Sequence, residues 1–205
     1  MKFFKNYFRI SLIVLLGILF VQPVDGWAQR DVSDIKQLFE ERDREIKALL
    51  GPKGTEYTDE QREKLKNIIN GNIDYGEMAQ FALGDTYDEL SADKQNEFVD
   101  LFSTIIRDQS LNKLDIYRAK VTYEDITVEG DSAFVSTIAE MDKVRTPVGY
   151  ELEYEEKNGT QQWVVTDMII DDVSTAGSYQ RQFQRIIRKK GFDSLMETLR
   201  KRAAR

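Results

Sequence analysis

The sequence predicts an α+β protein in which several helices cover a curved, four-stranded antiparallel sheet. Three observations carry this. Apolar residues recur at helical spacing from residue 35 to 106, alternate in strand fashion between 121 and 170, and return to helical spacing from 183. The strand-like runs are joined by short connections, which suits antiparallel neighbours. Neither an internal repeat nor a Pro/Gly-rich linker divides the chain, so residues 29–205 read as one domain.

The first residues stand apart. Lys2, Lys5 and Arg9 precede an apolar run over 10–21, and Gly26 and Ala28 flank Trp27 at the spacing a signal peptidase accepts. That order predicts a secretory signal peptide over 1–28. The alternative, a membrane anchor, needs ~20 apolar residues, and this run is much shorter. No cysteine is present to carry a lipid at the cleavage point, so the expected mature protein is exported and soluble.

Helices come next. Asp31 and Ser33 can cap the first, whose apolar positions are Ile35, Leu38, Phe39, Ile46, Leu49 and Leu50, and Gly51-Pro52 ends it. Thr58 caps a second, with Leu65, Ile68 and Ile69 before Asn70-Gly71. A third begins at Asp74, carries Met78, Phe81, Ala82 and Leu83, and stops at Gly84. Ser91 caps a fourth, with Asp93 in its first turn and a stripe of Phe98, Leu101, Phe102, Ile105 and Ile106.

The period then changes. Runs over 121–128 and 133–141 make a hairpin around Gly130. The apolar parity switches between Tyr123 and Ile126, which predicts a bulge at Glu124-Asp125. Val148, Tyr150, Leu152 and Tyr154 alternate with Gly149, Glu151, Glu153 and Glu155 in a half-buried strand, and Asn158-Gly159 supplies a turn. The run over 163–170 is apolar on both parities except Thr166 and Asp167, so both its faces should be covered. Asp171-Asp172 end it and Ser174 caps a helix with Phe183, Ile186 and Ile187, closed by Gly191. Leu195, Met196 and Leu199 mark the last helix.

Composition narrows the chemistry. Without cysteine there is no disulfide, thiolate nucleophile or cysteine-held metal, and without histidine the usual general base and commonest metal ligand are missing. Neither catalysis nor a metal or cofactor is expected. Glu151, Glu153 and Glu155 project from one strand face and repel one another, which marks a wet surface. Gly51-Pro52-Lys53-Gly54-Thr55 lacks the spacing and the preceding strand of a phosphate loop, and Asn158-Gly159-Thr160 is a hairpin turn rather than an informative glycosylation signal. The whole chain carries −7, and residues 29–205 carry −9. From Gln180 onward nine Lys/Arg face only Asp193 and Glu197, so residues 29–179 carry −16. An acidic body argues against nucleic acid. Arg181, Arg185 and Arg188 share one helical face and are candidates for docking an acidic partner or anionic headgroups. Their alternative role is a solvated face that offsets the acidic body.

Eleven Phe, nine Tyr and two Trp supply large apolar side chains. Facing elements contribute Met78, Phe81, Phe98, Phe102 and Ile105 from helices and Val148, Tyr150 and Leu152 from a strand. Periodicity does not tell a filled core from a cavity, so both readings stay open.

Several stretches carry a family likeness. Ile73-Asp74-Tyr75-Gly76-Glu77-Met78-Ala79 is followed by Ala82-Leu83-Gly84 and by a capped, Phe-bearing helix from Ser91 to Phe102. Later come Trp163-Val164-Val165, Asp167 to Asp171 and Val173-Ser174, then Tyr179, Arg181-Gln182-Phe183, Ile186-Ile187 and Gly191. In this order they resemble the MlaC (toluene-tolerance) family over about 70–203. The chain departs where the family usually has Gly (Asp172), often an aromatic (Thr166) and Asn (Ser178). The resemblance implies a periplasmic phospholipid carrier with no cofactor. It would exchange lipid with the MCE-domain subunit of an inner-membrane ABC transporter and with an outer-membrane lipoprotein complex, touching membrane surfaces transiently. It implies a cavity between an NTF2-like sheet and the helices. The lining expected is Met78, Phe81, Ala82, Phe98, Phe102, Ile105, Tyr117, Val148, Tyr150, Leu152, Val165, Met168, Ile170 and Val173. Two rivals remain: an NTF2-like periplasmic interaction module with a filled core, and a small hydrolase using paired carboxylates.

Overall fold

Asp31 opens the first helix, α1 (Val32–Leu50), where its carboxylate accepts the Ser33 backbone N–H at 2.9 Å. Of the two expected caps, Asp31 does the capping and Ser33 is what it caps. The computed structural model describes residues 31–112, 114–157 and 159–204. The expected signal peptide over 1–28 and Asn158 of the expected turn lie outside the described residues.

In α2 (Asp59–Asn70) Thr58 and Gln61 cap each other's backbone N–H groups reciprocally, at 3.2 and 3.0 Å. Asp74 caps α3 (Tyr75–Leu83) through the Glu77 N–H at 2.8 Å, and Gly84, at φ 55°, stops it in a conformation that favours glycine. A single turn, α4 (Asp85–Asp88), leads to α5 (Ala92–Leu111). Ser91 holds the N-cap position of α5, yet its side chain makes no capping bond. A 3₁₀ turn, Leu114–Arg118, follows. The sequence signalled neither α4 nor this turn.

The sheet runs β1 (Lys120–Glu129), β2 (Ser132–Met141), β3 (Val144–Lys157), β4 (Thr160–Ile170) and β5 (Val173–Ser174). Strand order equals chain order and every neighbour is antiparallel. The four expected strands are present, and a fifth of two residues is added where β4 turns back toward α6 (Thr175–Lys190). Helix α7 (Phe192–Ala203) ends the described chain. Two tight turns have paired positive φ: Asp142 and Lys143 at 50° and 69°, Asp171 and Asp172 at 51° and 61°. This backbone matches the twist of the strands it joins, and the short polar side chains of Asp142, Asp171 and Asp172 tolerate it, an aid that Lys143 lacks. The geometry explains why glycine suits the position that Asp172 fills.

Register confirms the β1 bulge: Tyr123 pairs Thr137 and Asp125 pairs Ser136, leaving Glu124 unmatched. A second bulge was not expected. Glu151 pairs Asp167 and Leu152 pairs Val165, so Thr166 is the extra residue on β4. The coverage of β4 on both faces holds for Trp163, Val164 and Val165, all buried, and fades to an exposed Ile170. On the outer face Phe134 lies over Gly149, where a Cβ would come within 2.8 Å of its ring.

The main core gathers the inner sheet face with α3, α5, α6, α7 and the first turns of α1 at Ile35, whereas Ile46, Leu50, Leu65 and Leu114 form a smaller cluster under the end of α1 and α2. Asp167 is buried between β4 and α6. Its carboxylate accepts the Met168 N–H at 2.8 Å, the Ala176 N–H at 2.9 Å and the Ser174 hydroxyl, while the Ser174 oxygen caps Gly177. A carboxylate satisfied by the first turn of a helix is favourable both as acceptor and for the helix dipole.

Candidate functional site

The register of β3 and β4 brings six of the expected lining residues together in three cross-strand rungs. Leu152 faces Val165, Tyr150 faces Met168, and Val148 faces Ile170. Residues directly opposite one another share a sheet face. The last rung continues on both sides, through Thr137 on β2 and Val173 on β5. Burial grades along it. Leu152 and Val165 are 1% and 6% exposed, Tyr150, Met168 and Val148 are half-buried, and Ile170 and Val173 are 46% and 51% exposed. The apolar face is therefore closed at one end and open at the other.

The helical candidates divide. Met78 and Ala82 on α3, and Phe98, Phe102 and Ile105 on α5, are buried in the main core. Residues with no accessible surface border no void that admits water, so Met78, Ala82, Phe98 and Phe102 are packed by protein atoms. Phe98, Phe102, Phe183 and Tyr179 form an aromatic cluster, with Phe102 and Tyr179 edge to face at 5.0 Å. Phe81 stands apart, 53% exposed on α3 and outside the main core. Tyr117 packs against the smaller cluster, although it is near enough to Tyr150 for their charges to interact.

Helix α1 closes over the half-buried middle of the face. Phe39 meets Tyr150 edge to face at 4.8 Å. Burial, and then the Asp43 carboxylate, pushes the Tyr150 hydroxyl up to about 12. Burial, and then Tyr150, raises Tyr117 to about 12. Tyr123 is raised by burial, then by Asp43, Glu40 and Tyr150. Phe39, Tyr123 and Tyr179 were not among the expected lining residues. The signal for Tyr123 was present, since the bulge at Glu124 puts it on the same face as Ile126.

At the open end a groove of about 400 Å³ lies between Ile170 and Val173 of the sheet and Thr175, Ser178, Tyr179 and Gln182 of α6. A second groove of about 210 Å³ is lined by Arg185, Ile186, Lys189, Lys190, Ser194 and Thr198. Arg181, Arg185 and Arg188 are all exposed, and Arg181 donates to the Ser178 hydroxyl at 3.0 Å. Among the described residues no cluster of His, Cys, Asp and Glu is arranged to hold a metal, and no helix is long and apolar enough to cross a membrane. Asp74, Glu77 and Glu155 interact with one another, and burial, then Asp74, raises Glu155. None of them lines either groove.

The family model described as MlaC protein matches residues 42–201. No curated protein matches the chain. Among solved structures, the chain is similar to the phospholipid-binding protein of Ralstonia solanacearum in complex with a phospholipid. The TM-score is 0.66 at 18% identity, over 84% of this chain and 96% of that one. At that identity the likeness establishes the shared fold.

Proposed function

The chain belongs to the MlaC family, and from that premise we propose that it is a periplasmic phospholipid carrier holding acyl chains on the inner sheet face. The carrying observation is the graded apolar face, closed at Leu152 and Val165 and opening beside α6 at Ile170 and Val173. The similar Ralstonia solanacearum protein, which holds a phospholipid, supports the reading. In this proposal the lining comprises Val148, Tyr150, Leu152, Val165, Met168, Ile170 and Val173, with Tyr117 at its edge. Met78, Ala82, Phe98, Phe102 and Ile105 stand behind it, and Phe81 stands outside it. Lipid would be exchanged with the MCE-domain subunit of an inner-membrane ABC transporter and with an outer-membrane lipoprotein complex.

Energetics favour such a division of labour. At ~0.8 kcal/mol per methylene, burying two sixteen-carbon chains is worth roughly 25 kcal/mol relative to water. That exceeds the practical ceiling of non-covalent affinity, roughly 18–21 kcal/mol. Lipid therefore does not leave into water on a useful timescale. Transfer between a bilayer and an apolar site is close to neutral, so a partner needs only a small bias to load or unload the carrier.

One observation favours the rival module with a filled core: Met78, Ala82, Phe98 and Phe102 have no accessible surface. Organic extraction and mass spectrometry of protein purified from the periplasm without detergent separates the two. The carrier is expected to bring phospholipids of mixed headgroup. Folded protein that repeatedly arrives lipid-free would overturn the carrier.

A further inference from the structure

The two grooves lie along one flank of the same helix. Thr175, Ser178 and Gln182 border the apolar groove, and Arg185 and Lys189 border the basic one. Steps of three, four, three and four residues keep these positions on one side of α6. At 1.5 Å per residue, Tyr179 and Lys189 are about 15 Å apart along the axis. A surface lying against the basic half therefore also covers the apolar mouth.

Among the described residues, Arg185, Lys189 and Lys190 enter no ion pair, whereas on α7 Arg200 bonds Glu97 and Lys201 bonds Glu197, both within 2.7 Å. This occurs in a chain with 36 Asp/Glu against 29 Lys/Arg, where carboxylates are plentiful. The helix dipole accounts for a cation near a C-terminus, since Arg188, Lys189 and Lys190 occupy the last turn. It does not account for Arg185, a turn earlier, or for the Ser194 and Thr198 side chains that α7 adds to the same groove.

We propose that this flank docks the protein on an anionic phospholipid bilayer, with lipid phosphates in the groove of Arg185, Lys189, Lys190, Ser194 and Thr198, and the apolar mouth turned to the membrane. The proposal rests on the carrier reading and deepens it. It also revises the docking set expected from sequence. Arg185 lines the groove, while Arg181 and Arg188 stand further round the helix. The acidic body is repelled by such a membrane, so attraction is local to this flank and falls as salt shortens the screening length.

The test is co-sedimentation of the purified mature protein with vesicles of phosphatidylcholine alone or mixed with phosphatidylglycerol. Wild type is expected to sediment only with the anionic vesicles, and less so as salt is raised. Each basic side chain near such a surface is worth roughly fivefold in partitioning, so Arg185→Gln/Lys189→Gln/Lys190→Gln should lose about a hundredfold. Lys36→Gln/Lys53→Gln/Lys64→Gln changes net charge equally at exposed sites elsewhere and should bind as wild type. Equal loss in both variants overturns the proposal, because net charge alone would explain it. Wild type that ignores anionic vesicles at low salt also overturns it, and leaves an acidic protein surface as the occupant. Lipid content of the same preparations is read by mass spectrometry. Lipid present without vesicle binding refutes the docking and spares the carrier, while lipid-free protein refutes the carrier itself.

Discussion

Val148 and Val173 belong to the same rung of the sheet, yet a carboxylate at each meets a different medium. Val148 is half-buried between Thr137 and Ile170, and its carbonyl accepts the Thr137 hydroxyl at 2.8 Å. A glutamate there is desolvated without a partner, so its pKa rises and its charge is costly among acyl chains. Val148→Glu should abolish lipid co-purification and leave far-ultraviolet circular dichroism close to wild type. Unfolding instead would assign the position to packed core. Val173→Glu, more than half exposed, should fold normally and weaken loading less. Asp167 is the opposite kind of residue, a buried carboxylate with every contact a donor. Asp167→Asn removes charge-assisted bonds and points an amide N–H₂ toward other donors. Urea denaturation should register a loss of about 1.5–3 kcal/mol.

At the scale of elements, the sequence was most legible where one local interaction fixes a boundary. Thr58 illustrates it, since the expected cap opens α2, where the structure adds Gln61 as its reciprocal partner. Thr58→Ala should cost about 1 kcal/mol, lowering Tm by roughly 2–4 °C for a protein of this size. The bulge at Glu124 was equally readable, because inserting a residue must shift parity. Its counterpart at Thr166 was not, because β4 is apolar on both parities there and a shift leaves no trace. The Asp142-Lys143 turn leaves no mark in the sequence, because left-handed backbone is signalled by glycine and this pair has none. For the candidate site, alternation on β3 identified the face, and its register with β4 assembled it. What alternation could not supply was depth: Phe81 and Met78 fit the same helical stripe, and only tertiary packing exposes one and buries the other.

Across the whole molecule, the tyrosines around α1 link folding to alkaline pH. Tyr117 and Tyr150 are each pushed up to about 12, whereas an unfolded tyrosine ionises near 10. The folded state thus holds protons that the unfolded state releases. Their contribution is complete below about pH 10 and is lost as pH rises toward 12. Phenolate absorbance and circular dichroism should therefore change together in that window. Tyr150→Phe removes one such group, so its stability should fall less steeply over the same range. Ionisation of both tyrosines well before unfolding would show that α1 does not seal them.

The unmatched Glu124 has a consequence for how copies of this protein treat one another. Strand β1 is the first strand in the sheet order, and among the described residues no strand lies beside its outer backbone edge. Such an edge invites a second chain to extend the sheet. The bulge bends the edge, and Glu124 and Asp125 place two exposed carboxylates at the bend. Deleting Glu124 leaves Tyr123 and Ile126 in regular alternation, so the interior loses nothing in parity while the edge becomes straight and regular. The deletion variant should form concentration-dependent oligomers in light scattering that the wild type lacks. On this account a residue that contributes no contact to the core keeps each molecule separate from its neighbours.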